Sequence, residues 1–137
     1  MRSNSANAYG DPLSRLAGEI EEDRSSLLSI MDDLDVSVDR VKLAAGWAAE
    51  KVGRLKLNGR LLSYSPLSRM MELELLELGV AGKLSLWHAL HQIAPAEPRL
   101  KGAKLERLIE RAGGQREELE VLRRRAVSDA FPAPDRL

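Results

Sequence analysis

Four side chains in one segment have the types that metal-ligand or acid–base chemistry requires: Glu74, Glu77, His88 and His91. Glu74 and Glu77 are three positions apart, as are His88 and His91, so on a helix each pair shares a face one turn apart. Di-metal carboxylate bundles use a Glu from each of two helices and a Glu-x-x-His from each of the other two. This chain contains no Glu-x-x-His, and His88 follows Glu77 by 11 residues. At ~1.5 Å per residue that is roughly 16 Å along a helix axis, too far to share an ion. Two arrangements remain for the histidines. They bind a metal edge-on with a partner elsewhere, or they sit on the surface at a helix C-terminus, where the dipole favours them. Glu74, Glu77, His88 and Gln92 also form a polar stripe. If it faces inward, the carboxylates must pair or hold an ion or small ligand. Arg24 and Gln115, the polar members of the first and last seams, are then the candidate partners. If it faces outward, it is solvated.

Other chemistry has weaker support. Arg123, Arg124 and Arg125, with Arg111 and Arg116, make a basic run of the kind that binds phosphates. Glu117, Glu118 and Glu120 alternate with it at helical spacing, which favours an ion-paired, solvated face. Ser63, Tyr64 and Ser65 lie in a connection, where function often resides. No histidine or acid is tied to them by spacing, and no glycine-rich phosphate loop is present. The chain has no cysteine, which removes disulfides, thiolate catalysis and cysteine-based metal sites.

The elements that must position these residues read as helices. The central one starts at Ser65, a good N-cap, and Pro66, suited to the first helical position, and Pro95 stops it. It is apolar on two sides. One side carries Leu67, Met71, Leu75, Leu78, Leu86, Ala89 and Ile93; the other carries Leu73, Leu76, Val80, Leu84 and Trp87. A first helix opens at Asp11–Pro12, with a seam of Leu13, Ala17, Ile20, Leu27, Met31 and Leu34 that Arg24 interrupts. The same heptad continues through Val38, Val41, Ala45, Ala48, Val52 and Leu55, giving one long helix or two. Asp32, Asp33 and Asp35 are unfavourable near a helix C-terminus and Ser37 can cap a new start, so a break is expected at Asp35–Ser37. Residues 19–39 hold eight acids and one base, residues 40–60 six bases and one acid, and a hairpin would set the two against each other. Leu43 and Trp47 lie off that second seam.

A last helix begins near Arg99, with Leu105, Leu108, Ala112, Gln115, Leu119, Leu122 and Ala126 in heptad register. Gly113–Gly114 sits within it, but the register runs straight through, so one kinked helix to about Ala130 is expected, with a turn between two helices as the alternative. Residues 1–10 and 132–137 are expected to be disordered tails around a single domain at 11–131.

Composition bounds the function. Twenty-one basic residues balance 21 acidic ones, a poor starting point for nucleic-acid binding. The apolar fraction is 44%, enough for a core of Leu, Val, Ala and Met, since only five residues are aromatic: Tyr9, Trp47, Tyr64, Trp87 and Phe131. The N-terminal stretch has no apolar run of the secretory kind. The most apolar segment carries Glu72, Glu74, Glu77 and Lys83, too many charges for a membrane span. A cytoplasmic protein is expected.

The stretches EIEEDRSSLLSIMDDLDV, AGWAAEKVGRLKLNGR, SPLSRMMELELLELGVAGK and RAGGQREELEVLRRRA together resemble a family of small actinobacterial helical proteins, over roughly Asp11 to Phe131. The resemblance implies a ferritin-like four-helix bundle in a bacterial cytoplasm. It brings no established activity and no catalytic residues, and it implies ordinary helix at Gly113–Gly114.

The sequence therefore predicts an all-α, antiparallel four-helix bundle, ferritin-like in shape, with helices near 12–35, 37–57, 66–94 and 99–130. The expected role is a non-catalytic interaction or assembly protein that forms a homodimer or binds another protein, with no cofactor. The expected interface is Leu43, Trp47, Leu73, Leu76, Val80, Leu84 and Trp87. The alternative is a ferritin-like metal or small-ligand binder using the polar stripe, with Glu74, Glu77, His88 and His91 as candidate ligands.

Overall fold

The structure is a computed structural model that describes residues 2–37, 39 and 65–134. It is all-helical among those residues: α1 (Arg2–Asp33), α2 (Pro66–Ile93) and α3 (Gly102–Ala130), with a 3₁₀ turn at Ala94–Ala96 joining the last two. Nearly all of the expected second helix, including Leu43 and Trp47, lies outside the described residues, as do Ser63 and Tyr64.

α1 begins well before the expected start at Asp11, and Pro12 lies inside it. The expected N-terminal tail is thus helical from Arg2. A reason is visible at Tyr9, which falls seven positions before Leu16 and is buried with it. Its hydroxyl donates to Asp129 Oδ2 at 2.6 Å, and the Arg69 guanidinium lies 4.5 Å from its ring centroid. These contacts tie the first turns of α1 to α2 and to the end of α3. The helix stops where its acids predict. Asp35 takes a left-handed conformation (φ 54°), Asp35 N–H donates to the Asp32 carbonyl, and Val36 N–H to that of Met31. This pattern is a Schellman stop, with aspartate at the position that glycine usually fills.

α2 starts at Pro66 after an extended Ser65 whose side chain makes no capping hydrogen bond. α3 passes through Gly113–Gly114 as one helix, as expected, and not as two. All seven predicted seam residues of α3 are buried.

Two apolar clusters fill the interior. One joins Tyr9, Leu16, Leu73, Val80, Leu119, Leu122 and Ala126. The other joins Ile30, Trp87, Leu90, Leu100, Leu105, Leu108 and Ala112. Their membership sets the directions: α1 and α2 run parallel and α3 runs antiparallel to both. The α2 and α3 backbones approach closely along their length, whereas α1 comes as near to α3 at only a few points. The inward side of each helix repeats in sevens, with Tyr9, Leu16, Asp23 and Ile30 on α1 and Leu73, Val80 and Trp87 on α2. Burying one such Leu, Val or Trp stabilises the fold by roughly 1.5–3 kcal/mol.

Candidate functional site

Between the two apolar clusters lies a polar layer with one contribution from each helix: Asp23 (α1), Lys83 (α2) and Gln115 (α3). Lys83 Nζ donates to Asp23 Oδ2 at 2.6 Å and also to Gln115 Oε1. Gln115 Nε2 donates to the same Asp23 oxygen at 3.2 Å. Asp23 and Gln115 are each 2% exposed, and the Lys83 side chain 14%. Arg111 closes the layer from α3. Its Nε stands 3.7 Å from Asp23 Oδ1, and its Nη2 donates to Glu22 Oε2 at 2.9 Å. Burial works against the Arg111 charge, but the Glu22 hydrogen bond and the carboxylates of Asp23, Glu22 and Glu19 outweigh it and hold the group above its ordinary value. A buried ion pair of this kind adds little net stability, yet losing one partner is costly. The arrangement can therefore fix the register of α1 on the α2–α3 hairpin, as a polar residue in an apolar seam does in coiled coils.

Gln115 was legible as the polar member of the last seam, but Arg24 was the wrong member of the first. Arg24 is exposed and lies 3.7 Å from Glu21, so no pair forms with Glu74 or Glu77. The buried residue is its neighbour Asp23, because the inward face of α1 follows Tyr9, Leu16 and Ile30. Of the expected seam, Ala17 is exposed, and Leu13, Ile20, Leu27 and Leu34 pack on its flank as partly buried residues.

The four metal-ligand candidates are not brought together. Glu74 accepts from Arg123 Nε at 2.5 Å and Glu77 from Arg116 Nε at 2.8 Å. His88 is exposed, and His91 Nε2 lies 3.3 Å from Glu106 Oε1. Among the described residues no group of three or more His, Cys, Asp or Glu side chains converges as a metal site would require. The polar stripe faces α3 and solvent, where its acids meet the basic run of the last helix. Arg123 also pairs with Glu120, as does Arg124 at 2.9 Å.

The expected interface is corrected in the same way. Leu73, Val80 and Trp87 are 0%, 2% and 1% exposed inside the chain's own core, and Leu76 and Leu84 pack against it. Leu73, Val80 and Trp87 therefore cannot form a surface for a second chain. The opposite side of α2 is the open one: Leu67 (47% exposed), Met71 (55%), Leu75 (38%), Leu78 (68%) and Ile93 (49%). Both sides are apolar, and the choice rests on partners in other helices. The three sevens on α2 match those on α1, a signal present in the sequence.

Two surface hollows lie among the described residues. One of about 140 Å³ lies between Ile30 and Leu105 under Arg99 and Lys104. A more open one of about 540 Å³ is lined by Leu84, Gly113 and Arg116 among others. Neither brings a nucleophile to a histidine. No described helix is long and apolar enough to cross a membrane. No known protein family, curated protein or solved structure matches this chain.

Proposed function

We propose that this chain is a non-catalytic interaction protein that self-associates through the outer side of α2, acting in a bacterial cytoplasm. The observation that carries the reading is the exposed apolar run Leu67–Met71–Leu75–Leu78 on the first half of the helix, with Ile93 exposed at its far end. Isolated apolar residues on a surface are ordinary, but a contiguous run rimmed by charge marks an interaction site. The same proposal includes a ferritin-like, four-helix outline with residues 37–57 as the fourth helix. Parallel α1 and α2 with antiparallel α3 are the directions an up-down-up-down bundle has when one helix stands between the first two. The acidic run along α1 is the complement of the basic stretch 40–60. Kinship with small actinobacterial helical proteins belongs to this proposal as well.

Light scattering coupled to size-exclusion chromatography, over a tenfold concentration range, tests the reading. A mass approaching twice 15.2 kDa is expected, reverting to one chain in Met71→Asp. A single-chain mass at every concentration contradicts it.

A further inference from the structure

We infer that α1 is a separable clasp: it leaves the α2–α3 hairpin as one unit while the hairpin stays folded, and so opens the sealed inner side of α2. This motion belongs to the single chain and does not depend on self-association. The backbones of α2 and α3 lie close along their length, whereas α1 comes that near to α3 at only a few points. Side chains must bridge the rest. Between Tyr9 and Asp33, α1 buries Tyr9, Leu16, Asp23 and Ile30, one residue in seven. α3 buries seven residues over a similar length. One of the four on α1 is a carboxylate, and a buried ion pair adds little net stability. Further ties from α1 to α3 lie at the rim: Arg15 with Glu118, Glu22 with Arg111, and Asp35 near Arg99. Each includes a side chain more than half exposed, and pairs of that kind contribute little.

Unmet polar atoms concentrate at the same contact. Asp23 Oδ1, Arg111 Nε and Trp87 Nε1 are buried without a hydrogen-bond partner. Asp23 belongs to α1, Arg111 faces it at 3.7 Å, and Trp87 packs in the cluster that holds Ile30. Among the described residues the only other such atom is Glu77 Oε2, in a carboxylate that pairs across the α2–α3 contact. A buried polar atom without a partner carries a desolvation penalty that water removes on exposure. Release of α1 therefore hydrates three of these four atoms, which offsets part of the apolar contact given up. The anchors of α1 lie along one continuous helix, so they let go together. Once free, the helix does not persist, because helices in proteins draw most of their stability from packing. Its amides then exchange with solvent.

Hydrogen exchange of the full chain, followed by NMR across a series of low urea concentrations, reads partial opening of this kind. Amides from Leu16 to Ile30 are expected to exchange at least 100-fold faster than those around Val80 and Leu119. They are expected to share one urea dependence, smaller than that of the hairpin because less surface is exposed. The Trp87 indole N–H is expected to exchange with the α1 set, while the Trp87 backbone amide exchanges with the hairpin. Gly114→Ala strengthens α3 alone, so it is expected to slow the hairpin amides by up to about fivefold and leave the α1 set unchanged. α1 amides that follow the hairpin in rate, urea dependence and response to Gly114→Ala overturn the clasp. Rates graded inward from the ends of α1 with no shared urea dependence report fraying and overturn it as well.

Discussion

The two sides of α2 are alike in composition and opposite in fate. The inner side, Leu73, Val80 and Trp87, is sealed. The outer side, Leu67, Met71, Leu75 and Leu78, is between 38% and 68% exposed. Hydrophobicity does not distinguish them. What does is the partner: the inner residues recur in sevens and meet the sevens of α1 and the alternating threes and fours of α3. The outer residues keep a similar spacing, with glycine and alanine among them, but no described helix supplies a row to meet them. An apolar side becomes core when other helices supply matching rows, and otherwise remains available to a second chain.

Substitutions on the inner side sharpen that contrast most. Trp87→Ala, at the centre of the cluster around Leu90 and Leu105, is expected to cost about 3–5 kcal/mol in urea unfolding. Asp23→Ala strands the Lys83 ammonium between two apolar clusters and is expected to cost about 3 kcal/mol. Replacing Asp23, Lys83 and Gln115 together with leucine is expected to be neutral or stabilising, while α1 loses its unique alignment. Broadened or doubled amide resonances along α1 would register that loss. A triple variant as unstable as Asp23→Ala, with sharp resonances, would count against the polar layer as a register device.

Much of this was legible. The start of α2 at Ser65–Pro66, the break at Asp35 and the whole inner seam of α3 follow from caps, turn residues and heptads. The inner seam of α1 was hidden because two rows four positions apart run side by side: Leu13, Ile20, Leu27, Leu34 and Tyr9, Leu16, Asp23, Ile30. The first row is wholly apolar, so it reads as the seam, while the second contains the aspartate that the core neutralises with Lys83. Lys83 in turn reads as a surface charge until α1 is in place. The start of α1 was hidden for a related reason: Tyr9 is anchored by residues 60 and 120 positions away, Arg69 and Asp129.

Smaller effects follow at the margins of the bundle. Burial and the hydrogen bond to Asp129 push the Tyr9 hydroxyl up to about 12, against the pull of Arg125 and Arg69. The folded state thus holds this proton more tightly than the unfolded chain, whose tyrosine titrates near 10. Its contribution is full below pH 10 and is lost as pH rises toward 12. Tyr9→Phe is expected to lower stability by about 1 kcal/mol at neutral pH and to flatten the fall in melting temperature between pH 10 and 12. Gly114 is exposed within α3 and a Cβ there meets nothing within 4 Å, so Gly114→Ala is expected to add up to about 1 kcal/mol. Asp35→Gly, which relieves the left-handed stop of α1, is expected to add about as much.

The central claim, that one helix has an inner side that folds the chain and an outer side that joins two chains, is tested most directly by two aspartates five positions apart. Leu73→Asp and Leu78→Asp are compared by thermal melting and by mass in solution. The account predicts that Leu73→Asp fails to melt cooperatively, while Leu78→Asp keeps the native melting temperature of the single chain and loses the dimer. A folded Leu73→Asp, or a Leu78→Asp that unfolds or remains dimeric, would contradict it.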